Sequence, residues 1–313
     1  MLGVRVGGGP NDGKKVERSQ SVLPMEKRRP PGLTLPDRGE FAVLVRSARE
    51  GRDCAELSEG ADRVWWVVSR QGRSKSFNED AVGIVDGKGV FAVFDGHGGR
   101  KASQFASEHL IRHFEALSHG EVDMQEALKQ AFVKTDEEFY NGSGSAREKY
   151  VGTTAIAAVI RNGKLVVGHV GDSRAVLASN GKAVELSRDH VTSRADELNR
   201  VRANGGYILG DRVNGVLKVT RAIGDHPAKS FIIAEPEVVE MEIADCFQNL
   251  IIASDGLWKH FTNEQAVEFA SKYGNDVKTA AQMLVEEAVT RGSCDDISVL
   301  VLSLENFKKK SEE

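Results

Sequence analysis

Thr154 to Gly181 reads TAIAAVIRNGKLVVGHVGDSRAVLASNG. Three apolar runs, Thr154 to Ile160, Leu165 to Val170 and Arg174 to Ala178, are joined by Asn162-Gly163 and Gly171-Asp172. Asn180-Gly181 then turns the chain towards a fourth run. Short runs rich in β-branched residues suit strands. Asn-Gly between apolar runs is the strongest short hairpin signal, because both residues tolerate the positive φ of a tight turn. The stretch therefore reads as an antiparallel meander, not as alternating strand and helix.

Helical spacing appears on either side of it. Lys101 to Leu117 repeats Phe105, Ala106, Leu110, Phe114 and Leu117, and Met124 to Tyr140 repeats Leu128, Ala131, Phe132 and Phe139. Ser193 to Asn204 reads as a helix capped by Ser193 and closed by Gly205-Gly206. Thr262 with Gln265 forms a capping box for a helix to Tyr273, and Asp276 caps another that stops at Gly292. Further strands are expected at Val64 to Val68, Ala81 to Val85, Val90 to Phe94, Val238 to Ile243, Leu250 to Ala253 and Ile297 to Leu304.

Bulk properties narrow the classes. The chain has 313 residues, 40% hydrophobic and 28% charged, enough for one sizeable core. A net charge of −4 gives no reason to expect a nucleic-acid partner. No apolar run approaches the roughly 20 residues of a membrane helix, and no secretory leader is apparent. Cys54, Cys246 and Cys294 are odd in number and in no metal-ligand pattern, so they read as thiols of a reducing compartment, cytoplasm or nucleus. Residues 1–60 are expected to be a disordered, basic extension. Residues 1–40 carry five of the seven prolines and a charge of +3, eight Lys/Arg against five Asp/Glu. The cluster Lys27-Arg28-Arg29 reads as part of a solvated basic tail. Residues 61–307 are the folded domain and 308–313 a charged tail. Within the domain, the polar, glycine-containing segment 188–232 suits a mobile flap over a site.

The chemistry gathers at strand ends. Val90 to Phe94 ends on Asp95, followed at once by Gly96, His97, Gly98 and Gly99. Glu79-Asp80, Asp172, Asp255 and Asp295-Asp296 lie at four other strand ends. Any one of these is an ordinary turn residue. Together they suggest carboxylates converging on a cation, and oxygen ligands without cysteine or paired histidine favour Mg²⁺ or Mn²⁺ over zinc.

These motifs carry a resemblance. NED at 78–80, FDGHGG at 94–99, GTTA at 152–155, GDSRA at 171–175, RVNG at 212–215, TRAIGD at 220–225, ASDGLW at 253–258 and CDDIS at 294–298 occur in the order of the metal-dependent type 2C Ser/Thr protein phosphatases. The resemblance spans about residues 64 to 305 and looks closest to plant members. It implies an α+β, four-layer α/β/β/α sandwich of two antiparallel sheets, with two Mg²⁺ or Mn²⁺ ions at one end. By the same resemblance Asp95 bridges both metals, the Gly96 carbonyl binds one, and Asp255 and Asp295 hold the other. Glu79 and Asp80 hydrogen-bond metal waters, Asp172 serves a third metal, and His97 is the general acid. The implied reaction is hydrolysis of phosphoserine or phosphothreonine by in-line attack of a metal-bridging hydroxide, on phosphoprotein partners, by a monomer.

Two positions depart from the family pattern. Lys75 stands where many relatives place an arginine that clamps the substrate phosphate, and an ammonium lacks the bidentate fork. Arg73 is near enough in sequence to substitute. Lys259 follows DGLW where many relatives have an acid, which weakens the case for the third metal. The alternative reading is a phosphatase-fold scaffold, weak or inactive in catalysis, that binds a partner protein.

Overall fold

The computed structural model describes residues 64–119, 123–145 and 147–307. The expected basic extension, with Lys27-Arg28-Arg29 and Cys54, and the tail from Lys308 lie outside the described residues. Six helices are described: α1 (Lys101–Leu117), α2 (Met124–Gly142), α3 (Ala195–Ala203), α4 (Asp255–Trp258), α5 (Asn263–Ser271) and α6 (Val277–Thr290).

Alternation along the strands assigns the layers. In Trp65–Arg70, Trp65 and Val67 join one buried cluster while Trp66 and Val68 join another. Successive strand residues face opposite sides. Both sides are apolar here, so the sheet is covered on both faces. It runs Trp65–Arg70, Ile297–Ser303, Phe247–Ala253, Arg174–Ser179, Lys182–Glu185. The second sheet runs Glu237–Glu242, Lys164–Val170, Ala155–Arg161, Val90–Phe94, Ala81–Val85. All these pairings are antiparallel.

Trp65, Phe91, Val93, Ile156, Leu177 and Leu300 fill the space between the sheets. On the outer face of the first sheet, Trp66, Ile251 and Val299 pack on Leu257, Val267 and Leu284 of α4, α5 and α6. On the outer face of the second, Ala92, Phe94 and Val159 pack on Leu110, Phe114, Leu128 and Phe132 of α1 and α2. The order is helix, sheet, sheet, helix, as the motifs imply.

The meander holds at two of its three turns. Asn162-Gly163 and Asn180-Gly181 close two-residue hairpins, at φ 52° and 71° and at φ 50° and 70°. At Gly171-Asp172 the chain changes sheets instead, since Arg174–Ser179 pairs with Phe247–Ala253 and not with Lys164–Val170. Gly171 has φ 93° and lies against the Thr154 side chain, where a Cβ would collide. Both sheets share one apolar core, so a pattern of apolar runs cannot separate a hairpin from a crossing.

Thr262 and Gln265 form the expected capping box, at 3.2 and 3.1 Å, and Asp276 accepts from the Thr279 amide at 3.0 Å. Ser193 is not the cap of α3. That helix starts after Arg194, whose guanidinium is drawn away to Asp196 and Glu237.

Segment 188–232 has a small core of its own, made by Val201, Val213, Val219, Ala222 and Ile232. Buried Glu197 ties it together, accepting from Thr220 Oγ1 at 2.6 Å, Arg221 at 2.7 Å and Arg200 at 2.8 Å. Burial alone would raise this carboxyl, but the guanidiniums of Arg221 and Arg200 hold it well below its usual range. Glu197→Gln leaves two guanidiniums short of a counter-charge and should destabilise the protein by about 3 kcal/mol in urea unfolding. Limited proteolysis of that variant should cut first within 188–232. An unchanged midpoint and cleavage pattern would reduce Glu197 to a passive contact.

Candidate metal and phosphate site

Register brings the acidic strand ends to one edge. Ala81 pairs with Phe94, so Asp80 and Asp95 leave the second sheet side by side. Val93 pairs with Ile156 and Val170 with Ala155, which brings Asp172 to the same edge. In the first sheet Ala253 pairs with Val299, setting Asp255 beside the start of the strand that follows Asp295-Asp296. Ser254 Oγ donates to Asp80 Oδ2 at 2.9 Å and joins the two sheet ends.

The backbone around the carboxylates is fixed from several directions. Asp296 accepts from the amides of Gly72 and Glu79, each at 2.8 Å, and so braces the loop that carries Glu79. The Asp95 amide donates to Thr154 Oγ1 at 3.1 Å, while the Thr154 amide donates to the Asp95 carbonyl at 2.9 Å. Gly96 packs on the Glu79 carbonyl, and a Cβ there would also stand 2.9 Å from Ser103 Oγ. No larger residue fits this close approach.

Charge dominates the cluster. Burial, then the neighbouring carboxylates Asp80 and Asp255, push Asp95 well above its ordinary range. Burial first, then Asp296 for the one and Asp255 for the other, push Asp80 and Asp172 up to about 7. Asp255 is also raised, by burial, although Lys259 opposes the shift. Among the described residues, buried Asp80 Oδ1 and Asp255 Oδ1 have no hydrogen-bond partner. Orphaned carboxylate oxygens in a ring of raised carboxyls are the donor set that a hard divalent cation needs. The residues fit such ions.

Both departures from the family pattern lie inside this ring. Lys259 Nζ is 2.5 Å from Asp255 Oδ2 and 3.0 Å from Asp295 Oδ2. Lys75 Nζ is 2.8 Å from Glu79, 3.2 Å from Asp295 and 3.8 Å from Asp296. Burial would raise Asp295, yet the two ammoniums hold it below its ordinary value. Lys75 is therefore engaged by three carboxylates, and Arg73 is exposed to solvent.

His97 emerges beside the ring, with Nε2 2.7 Å from Asp225 Oδ2. Burial opposes its protonation, but Asp225 prevails and the imidazole is held above its ordinary value. Asp225 is buried at φ 51°, a left-handed conformation that aspartate tolerates better than most residues. Gly152 lies directly beneath the pair. A Cβ on it would fall 2.5 Å from His97 Nε2 and would overlap the Asp225 carboxylate.

The sequence marks Asp296 as an acidic strand end without a role, and nothing in it singles out Ser254 or Asp225. Asp225 closes the TRAIGD motif, yet no spacing rule links it to a histidine 128 residues away. The structure leaves Arg73 outside the cluster.

The sequence profile of the family Protein phosphatase 2C matches residues 69–297. The probable protein phosphatase 2C 30 of Arabidopsis thaliana is 36% identical over 94% of this chain and 80% of its own length. The probable protein phosphatase 2C 45 of Oryza sativa subsp. japonica is 37% identical over 79% of this chain and 89% of its own. Among solved structures, a C. elegans sex determining protein superposes with a TM-score of 0.71 at 27% identity, over 79% of this chain and 66% of that one. The serine-threonine phosphatase 2C from Toxoplasma gondii has a TM-score of 0.67 at 21% identity, over 80% and 98%, a likeness of fold.

Asp80 and Asp172 are more protonated folded than unfolded between about pH 4 and about 7, so their contribution to stability falls as pH rises through that window, and the other raised carboxyls act in the same direction. Cation binding must release those protons. The rise in Tm on adding Mn²⁺ should therefore grow from pH 5.5 to pH 8. The lowered His113, His169 and His190 act oppositely with pH, and the same measurement on D95N/D255N, in which the growth should vanish, assigns the difference to the cluster. A pH-independent Mn²⁺ shift would mean that these carboxyls are not the ligands. Lys259→Met frees Asp255 and Asp295 of an ammonium and should tighten Mn²⁺ binding by calorimetry. Weaker binding would make Lys259 a support of the site instead of a competitor.

Proposed function

Because the chain belongs to the protein phosphatase 2C family, we propose that it is a Mg²⁺- or Mn²⁺-dependent phosphatase of phosphoserine and phosphothreonine in proteins. The observation that carries the reading is the ring of raised, partly orphaned carboxylates beside a histidine that Asp225 holds above its ordinary value. Asp95, the Gly96 carbonyl, Asp255 and Asp295 would hold two cations, Glu79 and Asp80 would order waters about them, and Asp172 would serve a weaker third. Two divalent ions bound there supply neutralisation of the phosphate charge and a water acidic enough to give hydroxide near neutral pH.

The remaining work belongs to the chain. His97 Nε2 is committed to Asp225, so Nδ1 is the atom that can deliver a proton to the departing seryl or threonyl oxygen. Asp225 favours the protonated ring and fixes its orientation beside the cluster. Lys75 adds a positive charge where a phosphate would enter, shared with Glu79 and Asp295. Segment 188–232 supplies Asp225 and the Ile223–Gly224 strand, which pairs with Gly152–Thr153 beside the His97 backbone. It is suited to bear on the bound substrate. No cysteine is required as a nucleophile, so turnover needs no covalent enzyme intermediate.

A phosphothreonine peptide assayed with Mn²⁺, with Mg²⁺ and with chelator tests the reading. Chelated enzyme should be inert, and full activity under chelation would refute the cation requirement. His97→Ala should slow the phosphothreonine peptide by about 10²–10⁴-fold while sparing an activated aryl phosphate, whose leaving group hardly needs a proton. An acid is lost as pH rises through its pKa, so Asp225→Asn should move the high-pH limb of kcat to lower pH. Equal losses on both substrates would make His97 structural.

A further inference from the structure

On the helical face of the second sheet, away from the acidic ring, α1 presents His109 and His113 one turn apart, and α2 presents Glu138. Residues four apart on a helix project from the same face. Both rings aim at one oxygen: Glu138 Oε2 is 3.0 Å from His109 Nδ1 and 2.6 Å from His113 Nε2. The three donor atoms lie within 4.8 Å of one another. A tetrahedral ion with ligands at about 2.0–2.1 Å holds them roughly 3.3 Å apart, so only small shifts would admit one. Phe105 stacks on the His109 ring at 3.8 Å and 14°, which fixes its orientation in advance. The His113 side chain is 5% exposed and that of Glu138 is 42%, so the group has a buried wall and an open mouth.

We propose that His109, His113 and Glu138 form a zinc site that clamps α1 to α2, separate from the acidic centre. Two imidazoles and one carboxylate, with the fourth position open to water, suit Zn²⁺ and disfavour Mg²⁺. A second histidine pair, His169 and His190 with Glu237, is less apt, because Arg194 already occupies the Glu237 carboxylate. In the α1–α2 group the carboxylate has only the two ligand rings as hydrogen-bond partners among the described residues.

The clamp joins elements that serve the reaction centre. α1 starts directly after the Gly98-Gly99 turn beyond His97. α2 carries Asp136, two residues before Glu138, and Asp136 accepts from the Gly224 amide at 2.7 Å and from Lys229 Nζ at 2.9 Å. An ion there would fix α1 relative to the strand that presents Asp225.

Co²⁺ titration of the full chain in excess Mg²⁺ tests the site. Tetrahedral Co²⁺ with nitrogen ligands absorbs strongly in the visible, whereas octahedral Co²⁺ on carboxylates absorbs weakly. We expect a strong band that saturates at one Co²⁺ per chain, is removed by Zn²⁺, and survives in D95N/D255N, where the acidic centre is disabled. His109→Ala and Glu138→Gln alter partly exposed side chains and should weaken Co²⁺ binding by at least about ten-fold. Only weak octahedral bands, or a strong band unchanged in both variants, would overturn the proposal and leave an interhelical hydrogen-bond pair.

Discussion

Antiparallel register drives Asp80, Asp95, Asp172, Asp255 and Asp295 to one end of the sandwich, and the repulsion among them is the condition that their surroundings answer. Two like charges about 4 Å apart repel by about 4 kcal/mol at an effective dielectric of about 20. Protons relieve part of this, as the raised carboxyls indicate. Ammoniums relieve another part, at the Asp255–Asp295 side through Lys259 and at the Glu79 side through Lys75. The sheets cannot relax by separating, because Ser254 bonds Asp80 across them and the core between them is fully buried. The fold thus holds the carboxylates in place and leaves their charge to be balanced by something small and mobile.

Much of this was legible in the sequence because strand ends are marked by abrupt changes of residue type. VFAVF passing to DGHGG, and IIAS passing to DGLW, state both where a strand stops and what it delivers. The hairpins at Asn162-Gly163 and Asn180-Gly181 were legible for the same local reason. The sheet change at Gly171 was not, since the apolar runs on either side look alike whichever sheet receives them. Nor was the engagement of Lys75 by Glu79, Asp295 and Asp296, because a lysine can reach a phosphate or a carboxylate with the same side chain. Long-range partners such as His97 and Asp225 are set by tertiary packing, on which spacing is silent.

The protein handles its buried charge in two ways. Glu197 is fully matched by Arg200, Arg221 and Thr220, and that network is closed. The acidic ring is matched only in part, with Asp80 Oδ1 and Asp255 Oδ1 left open. A closed network consolidates structure, whereas an open one is a standing demand for a ligand. The segment that Glu197 consolidates also carries Asp225, which serves the open part through His97.

Gly152 gives this arrangement a genetic corollary. It bears no functional group, yet the imidazole of His97 and the carboxylate of Asp225 rest on its bare Cα. The smallest possible missense change there, to alanine, would force the pair apart while leaving every ligand residue intact. A loss-of-function allele at this codon would look benign to any scan that weighs side-chain chemistry alone. Here the volume left empty by a missing Cβ is what keeps the pair together.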